Sequence, residues 1–417
     1  MPRSKKSKKM PPKKYDIAVA GQLCLDIIPQ IPATGAKHIS ELLQPGKLLD
    51  VGAARISNGG LVANSGLALT KLGLKTVLIA RIGRDDFGRQ VQNILRQHGC
   101  SMGITVAERE HTSYSIAIAP PGIDRIFLHY QGANSRFTNA DIDENILRQT
   151  NLFLFGYPPT LAKMYENEGE ELVKIFRSVK SLGLTTALDL NLPDMNSPSG
   201  RAPWRKILTN ILPYVDIFLP SIEEIFFMLA PAEYLKMKKK AGENDAVKFI
   251  PVSLYPDLAS ELLKFGAKVV GFKTGFRGFY VRTANLEESA DFGNVPPADM
   301  KNWSERELWY PAYRIQRIVS ATGSGDSAVA GFVAAFYRGH AIENCLKYAN
   351  CLGFQNLHEI DGYSGIKEWR ETTRMLGEGD LKLVDLPDLA DERWRWDEEL
   401  EMWVGKNDNF YYSGKER

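Results

Sequence analysis

The chain is poor in cysteine, in paired histidine and in long apolar runs, and each shortage removes a class of function. Its 417 residues hold four cysteines, Cys24, Cys100, Cys345 and Cys351, with no disulfide-framework or metal-type spacing. Six histidines show no paired spacing, so a zinc site is not expected. No apolar run approaches the roughly 20 residues of a membrane span, and the best, Ala328 to Tyr337, falls far short. No hydrophobic segment of signal-peptide type follows the N-terminal bases. Neither a G-x-S-x-G nor a Cys/His arrangement offers a nucleophile, and the Walker G-x-x-x-x-G-K-[ST] is missing. A reducing, cytoplasmic setting is the expectation.

What is present is ordinary globular material: 44% hydrophobic, 24% charged and 10% aromatic residues, enough for a large core. The net charge of +2 conceals an asymmetry. Residues 1–14 carry Arg3, Lys5, Lys6, Lys8, Lys9, Lys13 and Lys14 and no acid, so the remainder stands seven charges lower, at −5. A mildly acidic body gives no compositional case for nucleic-acid binding. The leader reads as a disordered solubilising arm, with a nuclear address or an anion-binding arm as alternatives. The last 40 residues are acidic, with 12 acids against 6 bases, yet hold Trp394, Trp396 and Trp403. Trp396, Leu400 and Trp403 fall at i, i+4 and i+7, the spacing of one helix face, expected to pack on the body or on a partner.

Between these ends the pattern alternates. Tyr15 to Gly21 reads as a buried first strand, and residues 28–58, rich in Pro and Gly, as small strands and turns. Helix and strand then alternate: a helix from Asn64 to near Gly73, a strand Val77–Ile82, a helix Phe87–His98, a strand Leu152–Phe155, a helix Leu161–Leu182, a strand Thr186–Leu190, a helix Trp204–Leu212, and strands at Ile217–Leu219 and Val269–Phe272. This predicts an α/β fold with a doubly wound, mostly parallel sheet. Residues 231–256, with Lys236, Lys238, Lys239 and Lys240, read as a surface insertion, and 284–310 as a long polar loop.

The most informative segment runs Ile318-Val-Ser-Ala-Thr-Gly323-Ser-Gly-Asp326 and continues into helix formers. Glycines at a helix start let backbone N–H groups converge, and the helix dipole adds partial positive charge: an anion site. An acid at such a mouth repels a phosphate, but suits a base that takes the proton of an attacking hydroxyl. Read alone, Asp326 is equally an acidic helix cap.

Further segments stand in order along the chain: Gly21-Gln-Leu-Cys-Leu-Asp26, Asn58-Gly59-Gly60 with Asn64, Gly83 to Gly88, Gly132-Ala-Asn134, Asp189-Leu-Asn191 and Lys273-Thr-Gly275-Phe-Arg-Gly278. Together with Ser320 to Asp326, which is similar to a DTTGAGD signature, they make the chain resemble the PfkB, or ribokinase-like, carbohydrate kinases across about residues 15–365. The resemblance implies a kinase domain over 15–370 with a small β lid at 28–58, and a separate extension over 371–417. It implies phosphoryl transfer from MgATP to a hydroxyl of a sugar or polyol. Asp326 becomes the catalytic base and the amides of Gly323, Ser324 and Gly325 the anion hole. Asp26, Gly60 and Asn64 bind the acceptor. Lys273, Gly275, Gly278 and Asn350 border the nucleotide, and Glu224 helps to organise Mg²⁺. A homodimer through the lid is a further implication.

Two departures stand out. The family's NxxE reads Ser221-Ile-Glu-Glu224, keeping the carboxylate and losing the amide, and the signature's leading acid is Ser320, which puts a monovalent-cation site in doubt. The alternatives are a nucleoside kinase, disfavoured by a lid segment with no Phe, Tyr or Trp, and a family member that has lost catalysis and serves as a binding or scaffold protein.

Overall fold

The computed structural model describes residues 13–33, 35–36, 38–121, 125–242, 244–287 and 291–410. The leader expected at 1–14 falls almost wholly outside them, as do Tyr411 and Tyr412 of the C-terminal segment.

The strands, in chain order, are β1 (Tyr15–Gly21), β2 (Cys24–Gln30), β3 (Gly52–Gly59), β4 (Thr76–Gly83), β5 (Ser101–Ala107), β6 (Tyr114–Ile118), β7 (Ile126–Tyr130), β8 (Thr150–Gly156), β9 (Thr185–Asp189), β10 (Ile217–Phe218), β11 (Val269–Lys273), β12 (Phe279–Thr283), β13 (Glu307–Tyr310), β14 (Trp394–Asp397) and β15 (Met402–Gly405). Eleven of them form one sheet in the order β14-β15-β13-β12-β11-β10-β9-β8-β1-β4-β5. From β5 to β11 every pairing is parallel; β12, β13, β15 and β14 continue antiparallel. The apolar residues of β1 serve two cores, Ile17 and Val19 on one face and Ala18 and Ala20 on the other. A strand buried on both sides needs no polar alternation, which is why it reads as a continuous apolar run. Helices Leu61–Lys71, Asp86–Gln97, Ser324–Tyr337 and Ile342–Asn356 cover the first face; Glu170–Ser181, Trp204–Ile211, Ile222–Leu229 and Leu254–Lys264 cover the second. The fold is the doubly wound α/β arrangement expected.

Strand order turns at β1: the chain builds outward through β4 and β5, then returns to place β8 on the other side of β1. Such a turning point leaves a crevice beyond the strands' C-terminal ends, where ligands of open α/β sheets collect.

Four expectations about elements need correction. The helix expected over 161–182 is broken: Asn167 and Glu168 adopt left-handed φ of 49° and 55°, so a short helix Ala162–Tyr165 precedes the long one, Glu170–Ser181. The lysine-rich part of 231–256 is a packed helix, Pro231–Ala241, whose Tyr234 is fully buried against Phe226 and Phe227 while its lysines face outward. The segment expected as a loop at 284–310 contains the helix Met300–Trp303 and β13, and buries Leu286 and Phe292. Trp396 and Trp403 share no helix face: they pair directly across the β14-β15 hairpin. Cross-strand partners of a short hairpin meet the same sequence spacing as helix neighbours.

The second sheet, ordered β3-β2-β6-β7, is larger than the lid expected at 28–58 because β6 and β7 come from residues 114–130. Its register builds two rows. One runs Ser57, Asp26, Ser115 and His129 along the face toward the main sheet; the other runs Ile56, Ile27, Ile116 and Leu128 along the opposite face.

Candidate active site

The helix Ser324–Tyr337 begins at Gly323, whose φ of 75° is one that glycine adopts without strain. A Cβ there would collide with Gly362, and the next turn buries Asp326. The helix is buried along nearly its whole length because it lies between Leu61–Lys71 and Ile342–Asn356. At Gly331 a Cβ would stand 2.5 Å from the Tyr348 carbonyl, so the close crossing requires glycine. This packing fixes the helix N-terminus and aims it into the crevice.

Asp326 Oδ2 accepts the Asn64 amide at 2.8 Å, and the Tyr157 hydroxyl reaches Oδ1 and Oδ2 at 2.8 and 2.9 Å. Burial pushes the Asp326 carboxyl up, while the Lys273 ammonium and these two hydrogen bonds pull it back toward ionisation. Lys273 itself sits beside Gly325 and forms an ion pair with the buried Asp189. Burial opposes the lysine's charge, but Asp189, Glu224 and Asp326 outweigh it and hold it above its ordinary range.

A cavity of about 280 Å³ opens in front of Asp326. Asn64 and Gly60 line it from the body, and Cys24, Asp26, Ser115, Phe127 and His129 from the small sheet. Gly59 and Gly60 are required by close approach: a Cβ at the first would strike the Asp26 carboxylate, and one at the second Gln22. Burial raises Asp26 to about 6, against hydrogen bonds from Cys24 and Ser115. Arg55 of β3 pairs with Asp361, and the adjoining Gly362 abuts both Gly323 and Asn64. The small sheet is thus tied to the loop under Gly323.

These observations describe a cavity lined by two carboxylates, one of them buried at a glycine-bounded helix N-terminus. The profile of the pfkB family carbohydrate kinases matches residues 23–369. The chain belongs to that family. Among relatives of this carbohydrate kinase, fructokinase-2 of Oryza sativa subsp. japonica is 24% identical over 343 residues, covering 80% of this chain and 85% of its own. Two solved structures share its fold: the ribokinase of Arabidopsis thaliana complexed with ribose and ATP has a TM-score of 0.64 at 18% identity, covering 87% of this chain and 98% of its own. The nucleoside kinase of Methanocaldococcus jannaschii has a TM-score of 0.61 at 15% identity, covering 88% of this chain and 100% of its own.

In this kinase Asp326, Gly323, Asp26, Gly60 and Asn64 all face one cavity. Ser324 follows Gly323 into the helix, and its amide leans back to the Ala321 carbonyl at 3.3 Å. Gly275 and Gly278 form the turn after β11, with φ of 56° and 94°; a Cβ at Gly278 would strike the Tyr310 carbonyl. Asn350 donates its amide nitrogen to the carbonyls of Tyr310 and Pro311, both at 2.9 Å, so its oxygen is the group that could meet a base. Asn134 donates to the Leu23 carbonyl at 2.9 Å and so braces the turn leading to Asp26. Asn191 lines the cavity, whereas Asp189 lies behind it on Lys273.

Glu224 closes a capping box with Ser221, its carboxylate accepting the Ser221 N–H at 2.7 Å. No cluster of three metal-type side chains occurs among the described residues. The neighbouring Asp189 Oδ2 is buried without a partner. Hard carboxylate oxygens of this kind fit an Mg²⁺ ion that is carried by nucleotide phosphates and keeps most of its waters, rather than a protein cage. The Gly83 to Gly88 segment positions the body of the site, with Asp85 capping the helix Asp86–Gln97 and accepting the Thr112 hydroxyl at 2.6 Å.

Tyr157, Ser115, Phe127 and His129 were not legible as site residues. Of these, Tyr157 left a faint trace: it follows Gly156 at the C-terminal end of a buried strand, where sites of such sheets gather.

Proposed function

We propose that this carbohydrate kinase transfers the terminal phosphoryl group of ATP to a hydroxyl of a sugar or related polyol, with Asp326 as base. The acceptor's proton passes to Asp326 while its oxygen forms the new O–P bond, and the bond to the leaving ADP oxygen breaks. The amides of Gly323, Ser324 and Gly325 stabilise the charge on the group in transit, aided by the helix dipole. Asp26 accepts from acceptor hydroxyls, and Asn64 and Gly60 complete that pocket. Lys273, Gly275 and Gly278 border the nucleotide phosphates. Mg²⁺, when bound, would neutralise charge on the phosphates, and Glu224 and Asp189 would help to hold it. Closure of the small sheet over the acceptor excludes water and limits idle ATP hydrolysis. Ser320 in place of a carboxylate favours a kinase without potassium dependence.

The observation that carries this reading is the buried carboxylate of Asp326, at a glycine-bounded helix N-terminus, facing the same cavity as Asp26. The test is ADP release against sugars, sugar phosphates, inositols and nucleosides, over the background of Asp326→Asn. Stimulation by a sugar or polyol supports it; no stimulation by any acceptor sinks it and favours a scaffold role.

One observation favours a nucleoside acceptor as the second reading. The small sheet is not free of aromatics once 114–130 is included: Phe127 lines the cavity, on the same face of β7 as His129. A ring there can stack on a base.

The outer row of the small sheet supports a homodimer. Ile56 and Leu128 are exposed, 41% and 52%, in a row continued by Ile27 and Ile116. A second copy covers this row isologously, since the row is complementary to itself.

A further inference from the structure

Tyr157 occupies a conformation its side chain disfavours. Its φ of 65° and ψ of 44° lie in the left-handed region, an outlier for a bulky residue that persists only where the surroundings hold it. β8 ends at Gly156, which packs against Leu61, and the Tyr157 amide then donates to the Asp189 carbonyl at 3.3 Å. The turn throws the ring into the acceptor cavity, where the hydroxyl bridges both oxygens of Asp326. Oδ2 holds Asn64 as well; Oδ1 has Tyr157 alone among the bonds described.

This arrangement is asymmetric in a way that matters for proton transfer. Asn64 and Tyr157 together fix the rotation of the carboxylate and saturate the Oδ2 side. Oδ1 keeps lone-pair capacity toward the cavity, because a carboxylate oxygen accepts about two hydrogen bonds. When an acceptor hydroxyl arrives at Oδ1, the bridging tyrosine keeps its bond to Oδ2 without rotating away.

We propose that Tyr157 is the positioning residue of the base: it orients Asp326 so that Oδ1 receives the acceptor's proton. The proposal rests on the kinase reading above. The charged and titratable groups around Asp326 are Lys273 from β11, Asp189 from β9, Asp26 from β2, Glu224 from the helix Ile222–Leu229, and Tyr157 itself. Of these, Lys273 and Tyr157 draw Asp326 toward its ionised form, against its burial. Replacing the hydroxyl by hydrogen removes one such donor and leaves the ring's packing in place.

The test compares Tyr157→Phe with wild type in two measurements. In the first, the pH profile of kcat is recorded with the best acceptor. The variant is expected to lose at least tenfold in kcat, with acceptor KM changed less than threefold, and its acid limb is expected to move to higher pH. A raised KM with kcat and limb unchanged overturns the proposal and makes Tyr157 a plain acceptor contact. The second needs no acceptor: the ¹³C carboxyl resonance of Asp326, assigned by Asp326→Asn, is titrated in both proteins. A higher midpoint in Tyr157→Phe supports the assignment and an unchanged one overturns it. If the wild type turns over no acceptor, the kinase reading fails, whereas the carboxyl titration still decides the role of Tyr157.

Discussion

The kinase carries two small β additions, a separate four-stranded sheet over the cavity and a hairpin at the edge of the main sheet, and their charged anchors differ in burial. The four-stranded sheet turns a polar row inward and an apolar row outward, with an ion pair between Arg55 and Asp361 tying it to the body. The second addition is the C-terminal hairpin. It continues the main sheet through β13 and is anchored by charges buried beneath it: Arg306 meets Asp408 at 2.9 Å and Glu343 at 2.7 Å, with Phe410 over its guanidinium. Asn407 donates to Glu307, which also accepts the Tyr280 hydroxyl. The segment leading into the hairpin also touches the turn after β11, since Arg277 between Gly275 and Gly278 pairs with Asp388. The tether of the small sheet has one half-exposed end, Arg55, on a buried Asp361, whereas Arg306 beneath the hairpin is buried together with both of its carboxylates.

The largest effect that would break this contrast is expected at the hairpin. Asp408→Ala removes one of the two carboxylates described on the buried Arg306, leaving Glu343, and loss of one partner of a buried pair costs about 3–5 kcal/mol. Urea unfolding should show that loss, with the midpoint falling and the slope unchanged. A loss below about 1 kcal/mol would mean that the hairpin is held as loosely as the small sheet.

Next comes the polar row. Burial raises Asp26 to about 6, above the ordinary carboxylate range, so its ionised form dominates only above that pH. As pH falls through 6 the acceptor loses its anionic partner, and acceptor KM is expected to rise about tenfold per unit of pH while KM for ATP stays level. A flat acceptor KM from pH 5 to 7 would remove Asp26 from the pocket's chemistry.

The smallest effect on folding belongs to the outer row. Leu128→Asp should convert a dimer to a monomer in sedimentation equilibrium and change stability by no more than about 0.5 kcal/mol, as for an exposed position. An unchanged mass would show that the apolar row has no second copy upon it.

How much of this was legible in the sequence depends on the distance over which each feature is made. The glycine-bounded helix start is local: Gly323, Ser324, Gly325 and Asp326 are consecutive, and their backbone geometry follows from residue type. The doubly wound fold was legible for a similar reason, because strands buried on both faces leave unbroken apolar runs such as Ile17 to Ala20. Tyr157 was not, since its role exists only through a contact 169 residues away and a backbone conformation that a tyrosine does not advertise. The small sheet was half legible. Gly and Pro marked 28–58, whereas β6 and β7 lie 55 residues beyond β3, and only the register brings Ser115 and His129 beside Asp26. The Trp396 and Trp403 spacing was readable but ambiguous, and buried pairing with β13 decided it.

In the proposed reaction Asp326 takes the acceptor's proton as the phosphoryl group leaves ATP. The most direct measurement is transfer of label from γ-³²P-ATP to acceptor, in wild type and Asp326→Asn, with ATP affinity measured alongside. Labelled acceptor phosphate should form with the wild type and fall by roughly 10²–10⁴-fold in the variant, at unchanged ATP affinity. Equal rates in the two proteins, or ATP binding with no labelled product from any acceptor, would contradict the account.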